Sequence, residues 1–292
     1  MGKSHEQVIR GFKDGKSYSG CSVFARGNTL YSYGMHFPLA VRKDNGIYLL
    51  NGDKYSVSTS KHQNITYRVF PDSPRVSFSA CRRACNDVSY WFNYATIIDY
   101  TKDSYGSADK DFEEFKKTIP IGAEVHISKN DYGKIEHMSY HRIGQVLFEY
   151  ENRYFICGMD EGSYFVSELP HKVNSVKDAF LSLMPKLARD AITQGIEVKR
   201  QGEWFFIPPK DSMISVPKHK VKDELKMQAL PFEQNSAQHT VTRMILNGKM
   251  IFAKGFVRHS RHEHRTLKLG DDFHIAMKNT AIGNWSSNGN VD

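Results

Sequence analysis

The residue pattern predicts an α+β protein, made of antiparallel β-meanders and hairpins with a few packed helices. Two observations predict it. Short runs of aromatic and β-branched residues recur between Asn-Gly and similar turn signals, which is how hairpin strands read. One later stretch, residues 175–195, instead repeats its apolar residues with helical period. No internal repeat, Gly-rich phosphate loop or coiled-coil heptad competes with these signals.

Residues 18–58 read as the first meander. In "CSVFARGNTLYSYGMHFPLAVR" the runs break at Arg26-Gly27-Asn28 and at Gly34, and Asn45-Gly46 and Asn51-Gly52 then occupy turn positions. Asn-Gly readily takes the positive φ of tight turns. Pro38 disfavours a central place for its strand, because it lacks a donor for the ladder. The strand "DKYSVS" is expected to run to Ser60, with Tyr55, Val57 and Thr59 on one face and the serines on the other. At Ser60 the pattern changes. Ser60-Lys61-His62-Gln63 fits a capping box, so a short helix, "KHQNITYRVF", is expected next, ended by Pro71 and Pro74.

Residues 87–101, "DVSYWFNYATIIDYT", place Trp91, Tyr94, Ala95 and Ile98 at helical spacing, which predicts a buried helix capped by Asp87. An acidic, solvated helix over 107–118 follows, stopped by Pro120. A second meander spans 122–170, with turns at Glu151-Asn152 and Asp160-Glu161-Gly162. In "SVKDAFLSLMPKLARDAITQG", Ser175 caps the start, Gly195 the end, and Pro185 kinks the middle. Then come a hairpin around Gln201-Gly202, an exposed polar loop over 210–238, a hairpin turning at Asn247-Gly248, and a frayed tail.

Charge is unevenly spread. Residues 1–86 hold 13 Lys+Arg against 5 Asp+Glu; residues 87–194 hold 12 against 17; residues 195–292 hold 15 against 10. This suggests a basic β-rich N-terminal region, an acidic mixed middle and a basic hairpin-rich C-terminal region, within one domain or several. The total of +8 and a pI near 9.1 suit a polyanionic partner, of which nucleic acid, DNA or RNA, is the commonest. The alternative is a basic surface that serves solubility alone. No run of 18 apolar residues is present, so no membrane span is expected. The basic start lacks the apolar core of a secretory signal, which favours a cytoplasmic setting. Four scattered cysteines, Cys21, Cys81, Cys85 and Cys157, do not make a disulfide framework and read as small core residues.

Candidate site residues fall in two places. Lys61 and His62, beside Ser58, Thr59 and Ser60, would combine hydroxyls, free N–H groups and a cation into an anion pocket, or serve capping alone. Arg258, Arg261, His262, His264 and Arg265, with His259, follow the last hairpin and read as a phosphate-contacting patch, since arginine offers planar bidentate donors, or as a solvated turn. A metal on His262 and His264 is opposed by the surrounding cations, and no cofactor is expected. His137 and His141 have a spacing that could chelate a metal on a helix, without an accompanying acidic motif. Rings in "SYGMHF" and "GEWFFIPP" lie near basic residues and either stack on bases or fill the core.

The stretch "YSVSTSKHQ" (55–63), preceded by "SYGMHFPLAV", resembles the signature Tyr-Ser-x-Thr-Thr-Ser-Lys-His-Gln of a group of proteins from bacteriophages and related mobile elements, with Ser58 in place of the first Thr. "EGSYFVSELP", "RQGEWFFIP" and "HEHRTLKLGDDFH" are similar to further segments of the same group. The resemblance implies a viral origin and the cytoplasm of an infected bacterium, with a phage or host protein as a further partner, and no mechanism. Three functions remain open at this point: nucleic-acid binding through basic surfaces, a histidine-dependent nuclease or phosphodiesterase-like hydrolase, and a virion or assembly component.

Overall fold

In the computed structural model, residues 3–18, 22–119, 124–130, 132–160, 163–208, 224–231, 239–260 and 266–279 are described. They form a mixed α+β structure with several antiparallel sheets. The described residues divide into two compact units, one running to Phe180 and the other beginning at Leu181.

In the first unit, helix α1 (His5–Lys13) begins with a full capping box, Ser4 with Gln7. The five-stranded sheet follows: β1 (Val23–Arg26), β2 (Thr29–Ser32), β3 (Gly34–Arg42), β4 (Tyr48–Asn51) and β5 (Arg75–Val76), adjacent in chain order. Asn45-Gly46 makes its expected turn between β3 and β4, with Gly46 at φ +79°. Asn51-Gly52 does not. Helix α2 (Val57–Val69) intervenes as a crossover and returns the chain to β5, which pairs parallel with β4. A parallel neighbour requires such a crossover, because a tight turn can only reverse direction.

The sheet is covered on both faces. Leu39, Leu50 and Phe37 join Val8, Ile9 and Phe12 of α1 and Val69 of α2 in one apolar cluster. Val41 and Leu49, adjacent to residues of that cluster along their strands, face the other way into a second. There they meet α3 (Phe78–Ala84), α4 (Trp91–Tyr94) and a four-stranded sheet. That sheet has the order β12 (Ser163–Glu168), β11 (Arg153–Asp160), β10 (Val146–Tyr150), β6 (Thr96–Tyr100). Glu151 and Asn152 turn β10 into β11, both at positive φ, as a type I′ hairpin turn demands. A smaller sheet, β7 (Ser104–Ala108), β9 (Ile135–Arg142) and β8 (Glu124–Lys129), carries the short helix α5 (Phe112–Thr118), which buries no residue.

The helix expected over 87–101 is a correction. Only Trp91–Tyr94 is helical, and Thr96–Tyr100 is strand. Residues 96–100 pair with the edge of β10, and sheet hydrogen bonds there override the 3.6-residue repeat.

The helix predicted over 175–195 is two helices, α6 (Val176–Leu183) and α7 (Lys186–Thr193). Pro185 is the N-cap of α7, consistent with its lack of an amide donor. Ser175 caps α6 by accepting the Asp178 amide, and Gly195, at φ +71°, closes α7 with a Schellman pair of bonds, Gly195 N to Ile192 O and Ile196 N to Ala191 O.

The second unit is a six-stranded antiparallel sheet, in the order β13 (Lys199–Gln201), β14 (Trp204–Ile207), β18 (Leu267–Lys278), β17 (Met250–His259), β16 (His239–Asn247), β15 (Leu225–Ala229). The turns at Gln201-Gly202 and Asn247-Gly248 are as expected. Strand β15 lies inside the stretch expected to be loop. It is exposed along nearly its whole length, so it has no inward-facing apolar repeat for a sequence to display. One sheet face packs Phe205, Ile207, Ile245, Phe252 and Ile275 against Ala188 and Ala191 of α7. Trp204, Phe206, Val241, Ala253 and Val257 are buried in a separate cluster. No helix among the described residues is long and apolar enough to cross a membrane.

Candidate nucleic-acid interface

Helix α2 begins four residues earlier than the sequence pattern predicts. Its N-cap is Ser56, whose Oγ accepts the Thr59 amide at 3.2 Å, so Ser58 and Ser60 lie inside the helix. Ser60 Oγ donates back to the Ser56 carbonyl at 2.9 Å. Gln63 is not a capping residue. Its amide donates to the carbonyls of Asn51 and Asp53, at 2.9 and 2.8 Å, and so ties the helix to the end of β4.

The helix is two-faced, although not in apolar terms. Thr59, His62, Gln63, Thr66 and Val69 are buried. Val57, Lys61, Asn64 and Arg68, at i, i+4, i+7 and i+11, make the solvent stripe, and no acidic residue lies on the helix. Lys61 and His62 therefore diverge: the first points to water and the second to the interior.

His62 is 3% exposed, and its Nδ1 pairs with Ser32 Oγ at 2.8 Å. The His5 ring of α1 meets it edge-on, with centroids 4.4 Å apart, and His5 Nε2 pairs with Ser22 Oγ at 2.8 Å. Burial, and then the proximity of His5, lower the His62 pKa below its ordinary value, so the ring is neutral at pH 7. These contacts make His62 a joint between α1, α2 and β2.

Beneath the start of α2 lies a second buried polar group, Asp53. Its carboxylate accepts Ser77 Oγ at 2.5 Å and the Ser79 amide at 2.7 Å, which caps α3 from the end of the neighbouring strand β4. Burial raises its pKa, and the donors from Ser77 and Ser79 act against that rise. Tyr67 donates to the Asn51 carbonyl at 2.7 Å, and burial raises its pKa. The segment Asn51–Asp53 is thus held from both sides, and Lys54 and Tyr55 emerge from it into solvent.

Around this emergence three rings stand exposed. Tyr33, at the corner between β2 and β3, is 57% exposed, and Tyr55 is 51% exposed. His36 is exposed and lies 5.6 Å from Tyr55, centroid to centroid; Tyr33 lies 5.3 Å from His62. Phe37 anchors the base of Tyr55 from within the core, at 5.3 Å. Lys54, Lys61 and Arg68 are exposed, and none has an ion-pair partner among the described residues. Between Arg26 and Val69 the only acidic residues are Asp44 and the buried Asp53, against six Lys and Arg. The rings of "SYGMHF" thus divide between surface and core, whereas Trp204–Ile207 of "GEWFFIPP" is wholly buried.

The C-terminal candidates fall in the second unit. Arg258 is exposed on β17, next but one to the partly exposed Phe256, so both side chains leave the same face of the strand. His259 is buried, and its ring lies 4.7 Å from that of His239, its partner across the ladder. Arg261, His262, His264 and Arg265 lie outside the described residues.

No group of three or more His, Cys, Asp or Glu among the described residues is placed to hold a metal ion. His126, His137 and His141 lie on strands, not on a helix. Four residues along a strand span about 13 Å, too far for His137 and His141 to share one ion. His137 instead pairs with Asp109 at 2.7 Å. Cys81, Cys85 and Cys157 are buried in the first unit's core, where burial raises the Cys81 thiol and pushes Cys85 up to about 12, so both stay protonated.

Sequence reasoning offered the rings of "SYGMHF", Tyr33 and His36 among them, as base-stacking groups or core, but did not join them to Lys54 and Tyr55. The signal at the latter pair was "DKYS", an exposed-type residue beside a ring, which many strands share. Compared with known proteins, the chain matches no family model, no curated protein and no solved structure.

Proposed function

We propose that the protein binds nucleic acid through the basic face of α2 and the Lys54–Tyr55 segment, in a cytoplasmic, phage-type setting and without catalysis. One observation carries this reading: the solvent stripe of α2 presents Lys61 and Arg68 with no acidic neighbour on the helix, and Lys54 extends it past the helix N-terminus. The partial positive charge of that terminus adds to the field, and unpaired cations are free to neutralise phosphates. Arg258 offers a comparable contact on the second unit. Binding without catalysis is supported by His62, which is buried and engaged by Ser32 and His5 instead of facing solvent.

A salt titration tests the proposal. Each neutralised phosphate releases counterions, so log K should fall linearly with log salt concentration. Replacing Lys61 or Arg68 by Ala should weaken binding across all sequences and reduce that slope by about one unit each. Affinity that is absent at low salt, or that salt leaves unchanged, would sink the reading.

A further inference from the structure

The exposed rings need their own explanation. A core ring is held by apolar burial, yet Tyr33 and Tyr55 leave about half of their surfaces in water. Tyr33 also sits at φ +59°, a left-handed conformation that Gly or Asn adopts with less strain. That strain is not offset by burying the ring. His36 is folded back over the backbone at Gly34, where an added methyl would come within 2.7 Å of its Nδ1. The absence of a side chain at Gly34 therefore leaves room for the His36 ring, which lies 5.6 Å from Tyr55, while Tyr33, three residues earlier, packs at 5.3 Å on His62. Lys54 immediately precedes Tyr55, and Lys61 immediately precedes His62, on which Tyr33 packs; both lysines are exposed and without acidic partners among the described residues.

We propose that this surface selects single-stranded nucleic acid, stacking unpaired bases on Tyr33, His36 and Tyr55 while Lys54 and Lys61 hold the phosphates. The inference rests on the nucleic-acid reading above and names the form of polynucleotide that the same site takes. A duplex turns its base faces inward, so it offers these rings nothing and engages the lysines alone. A single strand offers both a phosphate chain and free base faces, and ring stacking is tolerant of sequence.

The test measures binding of the full-length protein to a labelled oligothymidylate and to a duplex of the same length. The single strand should bind more tightly. Tyr55→Ala and Tyr33→Asn should each weaken single-strand binding by roughly five- to a hundredfold, while leaving duplex binding and the salt slope unchanged. Asn suits the left-handed backbone at position 33, so that variant removes the ring without adding strain. Tyr55→Phe keeps a stacking face and should retain affinity; a thermal melt of each variant confirms that the fold is intact. The Lys54→Ala, Lys61→Ala double variant should weaken both ligands and lower the salt slope. Equal affinity for strand and duplex, with the ring variants silent but the lysine variant weakened, overturns this inference and leaves nucleic-acid binding standing. No binding of either ligand at low salt overturns both. Self-association of the chain that Tyr55→Ala abolishes would assign the rings to a second copy, and so overturn the single-strand proposal.

Discussion

Helix α2 and strand β14 enclose opposite kinds of side chain. All four residues of β14, Trp204 to Ile207, are apolar and buried, divided between two clusters. Helix α2 buries Thr59, His62, Gln63 and Thr66, with Val69 the one apolar residue among them. Apolar burial is non-directional and scales with the area removed from water, so β14 is held firmly but could be repacked by other apolar residues of similar volume. Buried polar groups are stable only when their partners stand at hydrogen-bonding distance, so α2 has essentially one rotation about its axis. That rotation sends Lys61 and Arg68 outward. The first mode of burial supplies stability, and the second supplies orientation.

Three measurements would break or sharpen this contrast, and the largest effect belongs to the apolar side. Phe252, fully buried between β16 and β18, should cost about 3–5 kcal/mol when replaced by Ala, through lost transfer energy and the cavity left behind. Chemical denaturation would read it, and a loss under about 1 kcal/mol would mean that the second unit's core collapses readily onto the gap. On the polar side, Asp53→Ala strands the Ser79 amide, leaves Ser77 Oγ only its partners Ser79 Oγ and the Ala80 amide, and should cost about 1–3 kcal/mol. Asp53→Asn keeps one acceptor and should lose less. If the two variants prove equally stable to wild type, the polar layer does not hold α3, and the contrast with β14 fails.

The third measurement concerns direction. His62 has a folded pKa below its ordinary value of 6.5, so as pH falls through that value the unfolded chain takes up a proton that the folded chain refuses. Stability from this group is therefore complete above 6.5 and declines as pH drops toward the lowered folded value. His274, lowered chiefly by burial in the second unit, acts with the same sign. Thermal melts across this range should show falling stability, flattened in part by His62→Gln and in part by His274→Gln. A wild-type profile that is flat below pH 6.5 would mean that neither ring is held neutral by the fold.

The polar mode of burial also explains what could be read in advance. The hairpins at Asn45-Gly46, Glu151-Asn152 and Asn247-Gly248 were legible because their turn residues carry the required backbone conformations locally. A kink at Pro185 was legible because proline's missing donor acts wherever it stands, although the chain goes further and divides into two helices there. The extent of α2 was not, because its inward face is Thr, His, Gln and Thr, and hydrophobic periodicity cannot mark a face that is not hydrophobic. Helix α1 went unseen although its Ser4–Gln7 capping box was present, and the same motif expected at Ser60 and Gln63 was not used. A capping box specifies a possible start; whether it is taken depends on what the following residues pack against.

From the residues alone came the α+β class, most of the strand hairpins, the interruption of the helical run at Pro185 and the uneven charge, since each is set by backbone preference or composition within a few residues. Only the tertiary structure decided that Lys61 faces solvent while His62 is buried, and that His36 meets Tyr55, 19 positions on in the chain, while Tyr33 packs on His62. The physical reason is that local sequence sets which conformations are cheap, whereas the partners of a buried polar group lie on other elements, here Ser32 on β2, His5 on α1 and Ser77 before α3.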